Sequence, residues 1–198
     1  MPSTSDPADL LAALAAALAG TGCRWYVFGA QAVIIWGRPR LTTDVDVTVE
    51  IASGGTASLV STLTSAGFHL TEDFSDEFVR VTRVLPFSHA ATGMALDVVL
   101  AGPGLEEQFL DRAQLVDLAG VSVPVISPED LIVTKTLAGR AKDLEDIRGV
   151  IQARGTTLDL NYIRSTLTIL ESALGQSDLA PAFEAELQRS ARRSPPTA

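Results

Sequence analysis

The hydrophobic and polar positions of this chain change rhythm several times, and each change predicts an element. The Ala/Leu-rich stretch over 10–18, with Pro7 in its first turn and Gly20 beyond its end, predicts a helix. Residues 24–28 read as a strand, 29–36 as a short apolar helix, and 44–51 as a second strand in which Val45, Val47, Val49 and Ile51 alternate. A helix follows over 56–66, bounded by Gly54-Gly55 and Gly67. The run FVRVTRVL over 78–85 alternates as a strand does, and MALDVVLA over 94–101 reads as a buried strand with one charge. A short helix is predicted over 105–112, then a hairpin of 115–118 and 121–126 around Ala119-Gly120.

The C-terminal third changes character. Ser127 sits before Pro128, with Asp130 three residues on, and predicts a capped helix reaching about Ala138. Helices are expected over 142–153, 161–174 and 181–191, and a disordered tail from Ser194. The fold class is therefore α+β: a mixed sheet flanked by helices, with a helical C-terminal region. The expected division is 1–126 for the sheet with its N-terminal helix, 127–193 for the helical region, and 194–198 for the tail.

One segment breaks the hydrophobic logic. Asp44 and Asp46 stand inside the 44–51 strand, where aspartate is disfavoured. Successive strand residues alternate faces, so the two carboxylates project together while Val45 and Val47 enter the core. Placing them there is costly unless they meet water or a metal. Just upstream, Gly29 opens a turn that can approach a phosphate closely. Asp97 is a third carboxylate on a strand otherwise made for burial. Three such side chains at one sheet edge suit two Mg²⁺ (or Mn²⁺) ions about 3.5–4 Å apart, the arrangement used for nucleotidyl displacement. Asp97 would be the general base or would orient it.

Composition narrows the partners. Hydrophobic residues make up 46% of the 198 and charged residues 20%, ordinary values for a globular domain. No apolar run is long enough to span a bilayer, so no membrane role is expected. The single cysteine, Cys23, excludes an internal disulfide and fits a cytoplasmic location. A net charge of −9 argues against broad, charge-driven nucleic-acid binding but leaves room for a local basic groove. His69 and His89 lack partners at ligand spacing and read as structural or surface residues.

Phe28-Gly29-Ala30, thirteen residues, then Asp44-Val45-Asp46-Val47 resembles the signature of the DNA polymerase β-like nucleotidyltransferase superfamily. Arg40-Leu41-Thr42-Thr43-Asp44 is further similar to the AbiEii-type toxin branch, as is the later helix with Lys135 followed by Arg140, Lys142, Asp143 and Asp146. The resemblance covers about residues 24–150. It implies metal ligation by Asp44, Asp46 and Asp97, with Lys135 and Asp143 joining them in catalysis. It places Gly29, Ala30, Arg38, Arg40, Thr43, Lys135 and Lys142 at the nucleotide, Arg38 and Arg40 by forked hydrogen bonds to triphosphate oxygens. Lys135 and Lys142 would share a face if their helix ran on past Gly139. The sequence departs from the signature at Ala30, where Gly or Ser usually stands, and its spacer lies at the long end of the family's range.

The implied function is a Mg²⁺-dependent transfer of a nucleoside monophosphate from an NTP substrate to an acceptor. The AbiEii resemblance implies an RNA acceptor such as the tRNA 3′ end, a toxin–antitoxin or phage-defence setting, and a cognate antitoxin protein. The alternatives left open are a small-molecule nucleotidyltransferase of the antibiotic-modifying type and a nucleotide-binding regulator with little turnover.

Overall fold

The computed structural model describes residues 7–51, 55–71 and 76–192. They form two compact units, the first containing residues 1–31 and 41–126, the second residues 32–40 and 127–198. The expected tail lies outside the described residues.

The first unit is built on a seven-stranded mixed sheet. In chain order its strands are β1 (Trp25–Phe28), β2 (Asp44–Val49), β3 (Phe68–Leu70), β4 (Val84–His89), β5 (Ala95–Leu100), β6 (Gln114–Leu118) and β7 (Val121–Val125). Across the sheet the order is β3-β4-β5-β2-β1-β7-β6. The centre is the parallel pair β2 and β5, with β1 antiparallel to β2 and β4 antiparallel to β5. Helices α1 (Pro7–Leu18), α3 (Gly55–Ser65), α4 (Asp76–Thr82) and α5 (Leu105–Arg112) complete this unit. Leu10, Leu14, Leu59 and Leu63 are fully or almost fully buried, as are Val45, Val47, Leu96 and Val98 of the central strands. Side chains of this kind contribute about 1.5–3 kcal/mol each when taken out of water.

The helix α2 (Gly29–Trp36) has the predicted bounds and passes from the first unit into the second. The second unit adds α6 (Pro128–Ala138), α7 (Ala141–Arg154), α8 (Leu160–Leu174) and α9 (Leu179–Ala191). Ser127 Oγ accepts the Asp130 backbone N–H at 3.1 Å and donates to the Asp130 carboxylate at 2.7 Å, so the predicted cap forms. Leu131, Ile132, Ile147, Ile163 and Phe183 fill the core between these helices.

One expectation is corrected. Residues 78–85 are not one strand: α4 occupies Asp76–Thr82, and β4 begins at Val84. Arg83 between them adopts a left-handed backbone, φ 59°, which ends the helix and turns the chain into the sheet. Helix α6 ends at Ala138 as expected, capped by Gly139 at φ 63°, so Lys135 and Lys142 stand on separate helices and the condition for a shared face is not met. The short strand β3 was not anticipated.

Candidate active site

Strand pairing sets the positions of the carboxylates. In the parallel register Asp46 stands beside Asp97, and Asp44 beside Ala95. Register partners point to the same side of a sheet, so Asp44, Asp46 and Asp97 share one face. Val45, Val47, Leu96 and Val98, on the other, are fully buried. The neighbour of Asp97 on its other flank is Pro86 of β4.

Because β1 runs antiparallel to β2, the end of β1 lies beside the start of β2, with Phe28 opposite Asp46. Gly29 therefore enters α2 directly against the Asp46 side chain. A Cβ at Gly29 would come within 1.9 Å of Asp46 Oδ2, and the residue's φ of 62° is one that side-chain-bearing residues rarely adopt. Glycine is required here twice over. Ala30, the departure from the signature, is buried.

Asp44 is oriented by Thr42, whose hydroxyl donates to the Asp44 carboxylate and also lies 3.3 Å from its backbone oxygen. The next residue, Thr43, is exposed. Burial, and then the negative charge of Asp44, push the Asp97 carboxyl above the usual carboxylate range. That coupling places Asp97 within the field of Asp44. Hard carboxylate oxygens are the donors that Mg²⁺ and Mn²⁺ prefer, so the residue types fit such an ion. As arranged, no set of three or more His, Cys, Asp or Glu among the described residues is gathered tightly enough to hold one.

The expected basic residues belong to the second unit. Lys135 Nζ lies 2.9 Å from both Asp143 Oδ1 and Asp146 Oδ2, and all three side chains are buried. Arg140 donates to Asp143 from Nε at 2.6 Å and from Nη2 at 3.2 Å, and Arg40 reaches Asp146 at 3.2 and 3.4 Å. Burial raises the Asp143 carboxyl, but the hydrogen bonds from Arg140 and Lys135 outweigh it and hold the group below its ordinary value. Arg38 donates to Gln152 Oε1. Lys142 is exposed.

Sequence reasoning kept Asp146 out of the site as a structural residue of the helix; it joins Lys135 to Arg40. Its signal was available: Asp143 and Asp146 are spaced i, i+3 on α7 and share a face. Thr42 was passed over in favour of Thr43, although a hydroxyl two residues before an aspartate commonly bonds back to it.

This sheet, with its three acids and the glycine turn between β1 and α2, is that of the nucleotidyltransferases. Solved structures agree on the fold. The antigenic nucleotidyltransferase-like protein from Paracoccidioides brasiliensis matches with TM-score 0.57 and 18% identity, over 90% of this chain and 92% of that one. The antibiotic-resistance factor ANT(2″)-Ia in solution matches with TM-score 0.56 and 16% identity, over 88% and 97%. The same factor in complex with adenylyl-2″-tobramycin matches with TM-score 0.53 and 16% identity, over 90% and 97%. No curated protein sequence matches. The chain belongs to the family described as "Nucleotidyltransferase of unknown function (DUF6036)", whose model covers residues 12–178. It is an enzyme of nucleotidyl transfer. No helix among the described residues is long and apolar enough to cross a membrane.

Proposed function

We propose that this protein transfers a nucleoside monophosphate from an NTP to a small hydroxylated acceptor, using Asp44, Asp46 and Asp97. The observation that carries the reading is the meeting of Asp46 with Gly29. A Cα that tolerates no side chain lets the Asp46 carboxylate pack directly against the start of α2, so a phosphate bound at the acids would lie next to that helix N-terminus. In this reading Gly29 and Ala30 present backbone N–H groups to the triphosphate, and Thr43 borders it.

Asp44, Asp46 and Asp97 would hold Mg²⁺ or Mn²⁺, which when bound neutralises phosphate charge and lowers the pKa of an attacking hydroxyl. The chain's own contributions are separate. Thr42 fixes the Asp44 rotamer through its hydrogen bond. Asp97, beside Asp46 in the parallel register, would take the acceptor hydroxyl's proton. The acceptor oxygen then attacks the α-phosphorus, the α–β bridging bond breaks, and pyrophosphate leaves. Lys135, held between Asp143 and Asp146, keeps α6 and α7 in register.

Two observations support a small acceptor. The chain carries a net charge of −9, which repels a polyanion. A fold neighbour, ANT(2″)-Ia, is an antibiotic-resistance factor solved with adenylyl-2″-tobramycin. The RNA acceptor, the toxin role and the antitoxin partner rest on the motif resemblance to the AbiEii branch.

Calorimetry with ATP, CTP, GTP and UTP, each with and without Mg²⁺, tests the core of the reading. Metal-dependent binding that disappears in Asp46→Asn supports it; nucleotide binding indifferent to both metal and Asp46 refutes it. Transfer from α-labelled NTP, assayed separately on total tRNA and on a panel of hydroxylated antibiotics, decides the acceptor.

A further inference from the structure

The basic loop that follows α2 makes a site of its own. Gly37 lies so close to α7 that a Cβ there would approach Val150 N to 3.0 Å, and the Arg38 side chain runs along Gly149. This contact leaves a pocket of about 320 Å³ within the second unit, bordered by Arg38, Arg40, Glu145, Asp146, Arg148 and Gln152. That volume is at the lower end of the range for small-molecule sites.

Charge accounting shows what the pocket prefers. Three guanidiniums face two carboxylates. Asp146 is shared between Arg40 and Lys135, and Arg148 divides itself between Glu145 and Glu186. Arg38 differs from the other two arginines. The partner described for it is the Gln152 amide oxygen, which orients the guanidinium without neutralising it. In a chain of net charge −9, this is a local positive surplus beside a cavity.

We infer that this pocket binds one compact anionic group, a phosphate monoester, with Arg38 as its principal donor. The triphosphate of the NTP is a poorer fit: about four negative charges would be set against Glu145 and Asp146 on the same wall. A single phosphate matches the surplus, and the guanidinium fork suits its oxygens. The ligand class is therefore a small molecule or ion carrying one phosphate group, bound within the second unit. Arg38, assigned from sequence to the triphosphate, thereby becomes the principal donor of a separate anion site.

The test is calorimetric titration of the full chain with inorganic phosphate, alone and with ATP and Mg²⁺ at saturation, on wild type, Arg38→Gln and Gln152→Glu. The second variant keeps Arg38 and the pocket's shape but gives the guanidinium a carboxylate partner. Saturable phosphate binding that persists with ATP present, and weakens about tenfold or more in both variants, supports the site. Absence of saturable binding, displacement of phosphate by ATP, or variants that bind as wild type would each overturn it. Failure of the nucleotidyl-transfer reading is read separately, as lack of NTP binding while phosphate still saturates the wild type.

Discussion

Replacing Gly29 by alanine tests the site through a single methyl group. Two penalties act together. A left-handed backbone costs an alanine about 1–2 kcal/mol. For a chain of this length that is a fall in Tm of roughly 2–8 °C. The new Cβ would also stand 1.9 Å from Asp46 Oδ2, so the carboxylate must retreat by about 1.5 Å to reach the 3.4 Å of ordinary contact. A displacement of about 1 Å at a reacting group is enough to lower turnover about a hundredfold. Gly175 provides the control: its φ is 68°, it lies at the end of α8, and a Cβ there meets nothing within 4 Å. Gly175→Ala should therefore show the backbone penalty alone. The assays are thermal unfolding followed by circular dichroism and transfer from α-labelled NTP. Comparable losses of stability with a turnover loss confined to Gly29→Ala are expected. If Gly29→Ala transfers nucleotide within about threefold of wild type, the role given to the Gly29–Asp46 contact is wrong.

Asp97→Asn should abolish transfer yet hold or raise Tm at pH 8, because the folded state binds the Asp97 proton more tightly than the unfolded state does, and that preference is lost as pH rises; a fall in Tm would contradict it. His89 behaves with the opposite sign. Burial against Phe68, 4.7 Å between ring centroids, lowers its pKa, so the unfolded chain takes up the proton first and stability falls as pH drops below about 6.5. Urea melts of wild type and His89→Phe between pH 7.5 and 5.5 should show a shallower pH slope in the variant. Lys135→Met leaves the buried Asp143 and Asp146 without their shared ammonium and should cost about 3 kcal/mol by denaturant unfolding, even though Arg140 and Arg40 remain. A loss below about 1 kcal/mol would mean those two arginines suffice.

Much of this architecture was legible from residue pattern. The helix over 29–36 was framed by a glycine at its start and a basic loop at its end, and the Ser127-Pro128-Asp130 cap fixed the start of α6. The acids were legible too, because aspartate inside valine-rich strands is conspicuous and the two-residue period fixes their common face. Pattern failed at 78–85, where Val79 and Val81 alternate with Arg80 and Thr82 as strand positions would. There the helix is mostly exposed, so burial did not impose a helical period, and the boundary depends on the left-handed Arg83, a conformation that residue type does not announce. A three-residue strand such as β3 carries too little periodicity to register. The partners of Lys135 and Arg38 were out of reach for another reason: contacts of α7 with α6 and with the loop after α2 are tertiary facts.

Because Asp46 and Asp97 are register partners on the two innermost strands, their proximity is inseparable from the integrity of the sheet's middle. Fraying begins at borders such as β3 and β6, which can open without parting the acids. On the proposed assignment of the acids, activity would withstand partial melting and disappear when the whole first unit gives way, so residual turnover on heating would count intact molecules.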